Sequence, residues 1–191
     1  MDSGGTRRRA RRDIVLVALL CAAPVVASYA LFYGWKPGAT KNYGDLIPPT
    51  PVPEIVSPAA GPAANLATLK GKWVLVSVDS GQCADACRTK LWQMRQLRLA
   101  QGKDMDRVAR VWLIDDARTP DAGLATEYAG TITLNARDAP GLSKLPTASS
   151  PRDHLFLVDP LGNLMMRFPK DADANRIKKD LIQLLKVSQV G

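Results

Sequence analysis

The chain has 191 residues, a length that fits a single domain of ordinary size with one or two appendages. Hydrophobic residues make up 46% and charged residues 23%, which are globular proportions and exclude a wholly disordered or collagen-like chain. Three cysteines are too few for a small disulfide-scaffold protein, and one histidine excludes a histidine-rich metal site. The formal net charge is +8, of which the first thirteen residues contribute +3 through five arginines and two aspartates.

An uncharged apolar run follows this arginine-rich start. Residues 14–33 carry no charge, and as a helix they reach about 30 Å, the thickness of the hydrocarbon core of a bilayer. We predict a basic cytoplasmic N-terminus over residues 1–13 and a transmembrane anchor over residues 14–35, with Cys21 as an apolar filler inside it. Because arginines stay on the cytoplasmic side, we expect a single pass through the inner (cytoplasmic) membrane with the C-terminal domain in the periplasm. The alternative is a cleaved signal peptide with its small-residue site at residues 28–30.

A proline-rich stretch follows the predicted anchor. Six prolines lie between Pro48 and Pro62, and residues 36–65 show little hydrophobic periodicity. This composition is typical of an extended, semi-rigid spacer. We predict that residues 36–65 form a linker that holds an exported domain, residues 66–191, off the membrane.

Strand and helix patterns alternate from residue 66 onwards. Short apolar runs rich in β-branched residues predict strands, and apolar residues at helical spacing predict helices. In chain order we predict a strand at 72–79, a helix that starts near Cys83 and stops at Gly102, a strand at 107–114, a helix at 119–128, a hairpin of strands at 155–159 and 164–168, and a helix at 173–187. This order predicts an α/β sandwich around a mixed sheet.

Cys83 and Cys87 are the residues that point to chemistry. They lie four residues apart at the start of a predicted helix, so their sulfurs can converge on one partner or on each other. The helix N-terminus favours thiolate over thiol. Two thiolates are soft ligands that select copper(I), whereas a structural zinc site needs four protein ligands. Copper binding, dithiol redox chemistry and a plain structural disulfide all remain open at this point.

Four segments of the chain together carry a resemblance to a known family: residues 69–76, 83–87, 113–120 and 156–160. They resemble the Sco/SenC family of thioredoxin-like, membrane-tethered copper proteins. The resemblance covers roughly residues 66–185 and implies a thioredoxin-like fold, a mixed β-sheet flanked by helices, with one N-terminal transmembrane helix.

The resemblance also implies a metal site and a partner. In that family a C-x-x-x-C pair and a distant histidine are copper ligands, and in this sequence these residues are Cys83, Cys87 and His154. The family loads the dinuclear copper centre of cytochrome c oxidase or reduces its cysteines. The implied cofactor is therefore a copper ion, and the implied partner is the copper-bearing subunit of the oxidase. We expect no nucleic acid and no small-molecule substrate.

The position of His154 leaves its role open. When the family pattern H-x-x-x-x-(Y/F)-L-(I/V)-x-P is laid over residues 156–160 without a gap, the histidine position falls on Pro151, three residues before His154. An odd shift along an extended strand turns a side chain to the opposite face, so His154 reaches the cysteines only if the loop at 147–153 bulges. His154 is either a third copper ligand or a hydrogen-bonded or solvent-facing histidine at the start of a strand.

Three hypotheses follow. The leading one is a membrane-anchored metallochaperone that binds copper(I) through Cys83 and Cys87, with His154 as third ligand, and assists the assembly of the copper centre of cytochrome c oxidase. The second is a thiol-disulfide oxidoreductase that uses the same two cysteines as a redox dithiol to keep partner cysteines reduced, without stable copper binding. The third is a binding module in which the cysteines form only a structural disulfide.

Other polar and aromatic residues are assigned structural places. Asp115 and Asp116 are not predicted to be an acid–base pair, because residues 115–120 follow a strand and are typical of a loop and a helix cap. Trp92 and Trp112 are predicted to lie in the core rather than to serve as stacking platforms. No alternation of basic and aromatic residues indicates nucleic-acid binding.

Overall fold

A computed structural model of the chain describes residues 3–34, 42–52, 66–188 and 190, and it divides the chain into two compact units, residues 1–41 and 42–191. The first unit contains the helix α1 (Ser3–Gly34), which has Pro24 in its interior. The segment Arg11–Gly34 of this helix is long and apolar enough to cross a membrane by length and composition. This segment agrees with the predicted transmembrane helix.

The described residues of the second unit form six strands, three α-helices and several short 3-10 turns. The strands are β1 (Asp45–Pro51), β2 (Trp73–Asp79), β3 (Val108–Ile114), β4 (Thr131–Asn135), β5 (Leu155–Val158) and β6 (Asn163–Phe168). The helices are α2 (Asp85–Leu99), α3 (Ala122–Glu127) and α4 (Ala174–Val187). The 3-10 turns are Leu66–Leu69, Gly102–Arg107, Leu142–Lys144 and Pro151–Asp153.

All six strands belong to one mixed sheet with the order β1-β6-β5-β2-β3-β4. β2 is parallel to β3 and antiparallel to β5, and β4 continues the sheet parallel to β3. β5 and β6 form the predicted antiparallel hairpin. All seven residues of β2 are buried, because a central strand of a sheet covered on both faces has no side that meets water. The predicted mixed sheet flanked by helices is confirmed.

Side chains along the central strands alternate between two cores. Leu75 of β2 belongs to the core on the side of the α-helices, together with Leu91 of α2. Val76, the next residue, belongs to the core on the other face, together with Leu66 and Leu142 from two 3-10 turns. We call these the helix-side core and the opposite core. Any residue of the central strands can be assigned to one of them by its position in the alternation.

β1 lies where a linker was predicted. The prediction of a linker over residues 36–65 is wrong for residues 42–52, because β1 pairs antiparallel with β6. The N–H groups of Tyr43 and Gly44 both donate to the Asp180 carboxylate of α4, each at 2.9 Å. β1 contains three prolines, which a strand accepts at the edge of a sheet because one of its sides needs no ladder hydrogen bonds. The rest of the predicted linker lies outside the described residues.

Candidate functional site

Cys83 and Cys87 form a disulfide at the start of α2, with a Cα–Cα distance of 5.0 Å. Ala84 is the N-cap residue of α2, so Cys87 lies in the first turn of the helix whereas Cys83 precedes it. Cys83 has a left-handed backbone conformation with φ of 46°, which is uncommon for a residue with a side chain. Its N–H donates to the carbonyl oxygen of Ser80 at 3.0 Å. The sequence predicts both cysteines on one face of the helix, but only Cys87 lies in the helix, because Cys83 precedes its N-cap.

The disulfide is buried beneath exposed neighbours. Cys83 is 2% exposed and Cys87 is 1% exposed, and both belong to the helix-side core. Gln82, Ala84 and the next two residues are exposed. Because both cysteines are almost completely buried, a reacting molecule reaches the sulfurs only after a local movement of the surrounding chain.

Asp116, at the end of β3, holds this turn. Its carboxylate accepts hydrogen bonds from the N–H groups of Gly81 at 3.0 Å and of Arg118 at 3.1 Å. The hydrogen bond from the Ser80 hydroxyl, followed by that from Gly81, lowers the pKa of Asp116 to about 2. A side chain at Gly81 would collide with the carbonyl of Arg118, so only glycine allows this close approach of the two loops.

Lys90 of α2 joins three parts of the site. Its ammonium group donates to the Asp79 carboxylate at 2.8 Å, to the carbonyl of Val78 at 2.9 Å and to the carbonyl of Arg152 at 2.6 Å. The side chains of Lys90 and Asp79 are each 13% exposed, so this ion pair is largely shielded from water. All three donors of the ammonium group are used, which fixes α2 against the end of β2 and the turn before β5.

Arg152 connects the same turn to β3. Its guanidinium donates two hydrogen bonds to the Asp115 carboxylate, both at 2.7 Å, and this interaction raises the pKa of Arg152. Asp115 and Asp116 thus make no helix cap, and the N-cap of α3 is Asp121, whose side chain accepts from the N–H of Gly123. The expected loop over residues 115–120 is therefore confirmed, whereas the expected helix cap lies one residue beyond this segment.

A cleft of about 300 Å³ lies along the flank of α2 that carries Ala86 and Lys90. Most of the charged groups around it neutralise one another, and Asp171 is the lining charge without an ion pair among the described residues. Their ion pairs are Lys90–Asp79, Arg152–Asp115 and Lys170–Asp153.

His154 lies on the other side of the sheet from the disulfide. Its backbone is extended, with φ of −126° and ψ of 154°, so it continues the alternation of β5. Leu155 and Leu157 belong to the helix-side core with the cysteines, whereas Phe156 belongs to the opposite core. His154 shares the face of Phe156, whose ring centroid is 5.9 Å from the imidazole. The 3-10 turn Pro151–Asp153 therefore does not bring the His154 side chain to the face of the sheet on which the cysteines lie.

The hydrogen bond of His154 agrees with this placement. Nδ1 donates to the carbonyl oxygen of Phe168 at 2.9 Å, and Nε2 is buried without a hydrogen-bond partner. Within the part of the chain that the structure describes, no group of three or more His, Cys, Asp and Glu side chains could hold a metal ion. The structure therefore brings Cys83 and Cys87 together and leaves His154 apart from them.

The supporting residues were not found from the sequence. Lys90 contacts Val78 and Arg152, which are 12 and 62 residues away along the chain, and Asp116 contacts Gly81, which is 35 residues away. Lys90 looks like an ordinary helix lysine, and Asp116 belongs to a polar loop. The sequence carries no local signal for these contacts, because only the packing of β2, β3 and α2 creates them.

The fold and the site together define a thioredoxin-like domain with a C-x-x-x-C disulfide at the start of a helix that packs on a mixed sheet. The family model described as transmembrane-like, thioredoxin-like, C-terminal domain matches residues 73–188. The chain belongs to this family. No curated protein matches the sequence.

Solved structures with the same fold include two Sco1 proteins. The solution structure of apo Sco1 from Thermus thermophilus has a TM-score of 0.57 and 21% sequence identity, and the match covers 77% of this chain and 99% of that chain. The crystal structure of yeast Sco1 with copper bound has a TM-score of 0.55 and 15% identity, and the match covers 78% of this chain and 96% of that chain. The predicted thioredoxin-like fold and the resemblance to Sco/SenC proteins are confirmed at the level of the fold.

Proposed function

We propose that this chain is a membrane-anchored thiol-disulfide oxidoreductase whose Cys83–Cys87 pair reduces a disulfide in an exported partner protein. The observation that carries the proposal is the pairing of two buried cysteines at the start of α2, with the lone histidine on the opposite face of the sheet. A dithiol needs no third ligand for this chemistry. The helix N-terminus supports it, because partial positive charge there favours the reacting thiolate.

The reaction is a two-step exchange. One thiolate of the reduced pair attacks a sulfur of the partner's disulfide, which forms a mixed disulfide and releases one partner thiolate. The second thiolate attacks the sulfur of its own neighbour in the mixed disulfide, which re-forms the Cys83–Cys87 bond and releases the second partner thiolate. Two electrons pass to the partner, and the released thiolates take protons from water. A dithiol reductant in the same compartment regenerates the pair.

The proposed setting is the outer face of the inner membrane. The arginine-rich start of α1 supports a cytoplasmic N-terminus, and with it a domain in the periplasm. The resemblance of the C-x-x-x-C segment and three further segments to the Sco/SenC family implies the copper-bearing subunit of cytochrome c oxidase as partner, with its copper-binding cysteines as the disulfide to be reduced.

The test uses the full chain in neutral detergent with Cys21→Ser, so that Cys83 and Cys87 are its only thiols. Glutathione buffers give the reduction potential, and pre-reduced protein is mixed with hydroxyethyl disulfide, a small uncharged substrate. We expect second-order release of two mercaptoethanol molecules per protein molecule, unchanged in His154→Ala. Cys83→Ser and Cys87→Ser lack the second thiol, so they stop at a mixed disulfide and release at most one. A wild-type protein that releases no more mercaptoethanol than both single variants would overturn the proposal.

Copper(I) carriage is the second candidate function. The same two cysteines, once reduced, offer two soft sulfur ligands within one turn of chain, a donor set that suits copper(I) without an imidazole. Copper would then be a cargo passed to the partner. His154 as a third ligand stays a prediction, because it would have to cross from the opposite core.

Copper(I) titration of the reduced full chain separates the two candidates. Cargo binding predicts one ion that disappears in Cys83→Ser and in Cys87→Ser. A matched His154→Ala variant that keeps the same affinity indicates a two-sulfur site, whereas loss of binding with the fold intact indicates that His154 joins it. No binding above that of Cys83→Ser would overturn copper carriage and leave the redox proposal in place.

A further inference from the structure

The solvent-facing side of α2 carries four exposed side chains in a row. Arg88, Trp92, Arg95 and Leu99 follow one another at intervals of four, three and four residues, so they lie on one side of the helix. Trp92 is 50% exposed and Leu99 is 47% exposed. The predicted core position is therefore wrong for Trp92 and correct for Trp112, which is 3% exposed. We call these four residues the α2 stripe.

The polar groups of the α2 stripe are largely free. Arg95 makes no hydrogen bond or ion pair with any residue that the structure describes, and Trp92 has no ring contact there. Arg88 approaches Glu127 at 3.7 Å, but both side chains are about half exposed, so the pair is weak. An exposed tryptophan between two arginines is typical of the residues that dominate binding at protein interfaces.

Positive charge accumulates beneath the α2 stripe. Arg110 of β3 is 4% exposed, and its pKa is lowered by burial and by the nearby charges of Arg98 and Arg95. Arg98 is paired with Asp106 at 2.7 Å, whereas Nε and Nη1 of Arg110 have no hydrogen-bond partner. On and beneath the stripe, Arg88, Arg95, Arg98 and Arg110 outnumber their two acidic partners, Glu127 and Asp106, so a ligand of this surface gains from carrying negative charge.

The other flank of α2 lacks these properties. The cleft beside Lys90 is lined mainly by charged groups that are paired with one another. Asp171 is the lining charge without an ion pair among the described residues, and its negative charge does not attract an acidic partner. The α2 stripe instead begins at Arg88, the residue after Cys87, and runs along the helix that carries the disulfide. A partner seated on the stripe brings its own sulfurs close to Cys87.

We infer that the α2 stripe is the docking surface for the partner protein, and that the partner presents acidic and apolar side chains next to the disulfide that is reduced. Trp92 and Leu99 supply the apolar contact, and Arg88 and Arg95 supply the charge that steers the partner. This inference rests on the proposed oxidoreductase function and names the chemistry of its substrate protein.

The test measures single-turnover reduction of two disulfide-bridged peptides by pre-reduced full chain in neutral detergent, again with Cys21→Ser. The peptides are identical except that glutamates in one are replaced by lysines in the other, and both carry leucines. At low salt we expect the acidic peptide to react about tenfold faster, with the preference shrinking as salt is added. Arg95→Glu should reverse most of the preference. Trp92→Ala should slow both peptides about fivefold to tenfold through loss of the apolar contact.

Matched controls locate the effect on the stripe. Lys144→Glu makes the same change of charge on the opposite face of the sheet, and Leu161→Ala removes an apolar side chain that is 70% exposed in the β5–β6 turn. Neither should alter the peptide rates by more than about twofold. Hydroxyethyl disulfide should react equally fast with every one of these variants.

The outcomes separate the inference from the function on which it rests. If the wild-type chain reduces neither hydroxyethyl disulfide nor the peptides, the proposed function fails. If it reduces them without preference for the acidic peptide, or if Lys144→Glu abolishes the preference as fully as Arg95→Glu, the function stands and the docking surface is overturned.

Discussion

Asp116 joins the end of β3 to the turn that carries Cys83. Its bonds from Ser80, Gly81 and Arg118 stabilise the charged carboxylate and hold its pKa at about 2, whereas an aspartate in an unfolded chain has a pKa of about 3.9. A carboxylate whose pKa is lower in the folded state stabilises that state above the unfolded pKa. The contribution of Asp116 is therefore complete above about pH 4 and is lost as the pH falls towards 2.

We expect Asp116→Asn to remove this part of the acid sensitivity. The difference in unfolding free energy between the wild type and Asp116→Asn should be largest above about pH 4 and should shrink towards pH 2, because asparagine does not ionise. Urea unfolding at a series of pH values measures it. Asp138→Asn is the control, since the Asp138 side chain is 92% exposed. A difference that does not change with pH would contradict the assignment.

Removal of the Lys90 ammonium group is expected to lower the free energy of unfolding more than removal of the Lys170 ammonium group. Lys90→Met leaves the Asp79 carboxylate shielded and unpaired and deprives two carbonyl groups of their donor, so the free energy of unfolding should fall by about 2–3 kcal/mol. Lys170→Met is the matched control, because its ion pair with Asp153 has a lysine that is 68% exposed and should contribute less than about 1 kcal/mol. Urea unfolding followed by tryptophan fluorescence checks both variants. Equal losses in the two would show that shielding of the ion pair has no effect.

At the scale of the element, the attachment of β1 depends on Gly44. A Cβ at this position would lie 2.5 Å from Sδ of Met166 and 2.8 Å from the ring of Phe168. Gly44→Ala should therefore lower the free energy of unfolding by about 1–3 kcal/mol through overpacking against β6. Gly123→Ala should be neutral within about 0.5 kcal/mol, because its Cβ would meet Asp121 at an ordinary 3.5 Å. Similar unfolding curves for both variants would mean that β1 does not pack on β6 as described.

The elements that the sequence predicts are those with undisturbed periodicity. The all-apolar run of β2 and the helical spacing of α4 depend on burial, which leaves a pattern in the chain. β1 and β4 were not predicted, and both are edge strands. β1 is interrupted by prolines, and in β4 only Leu134 is buried, so neither shows the alternation that a two-sided or half-buried strand would have.

At the scale of the whole molecule, the sequence predicts those features of the site that follow from local spacing and misses those that depend on packing. The pairing of Cys83 and Cys87 was predictable because they are four positions apart in the chain. The side of the sheet on which His154 lies was predictable in part. His154 is an odd number of residues from Pro151, and successive side chains along a strand point to opposite faces. The exposure of Trp92 was not predictable, because helical spacing alone does not tell which side of α2 meets the sheet.

The disulfide should switch between two covalent states without loss of the fold. Its loop contains only about five residues, so chain entropy limits its contribution to the free energy of unfolding to about 2 kcal/mol, while the helix-side core around it stays in place. We expect the reduced full chain to keep its near-UV circular dichroism and to unfold at a slightly lower urea concentration than the oxidised chain. The double variant Cys83→Ser and Cys87→Ser is the control and should not respond to the reductant. Unfolding upon reduction would make the disulfide a structural bond, because a reversible redox centre requires both states to be folded.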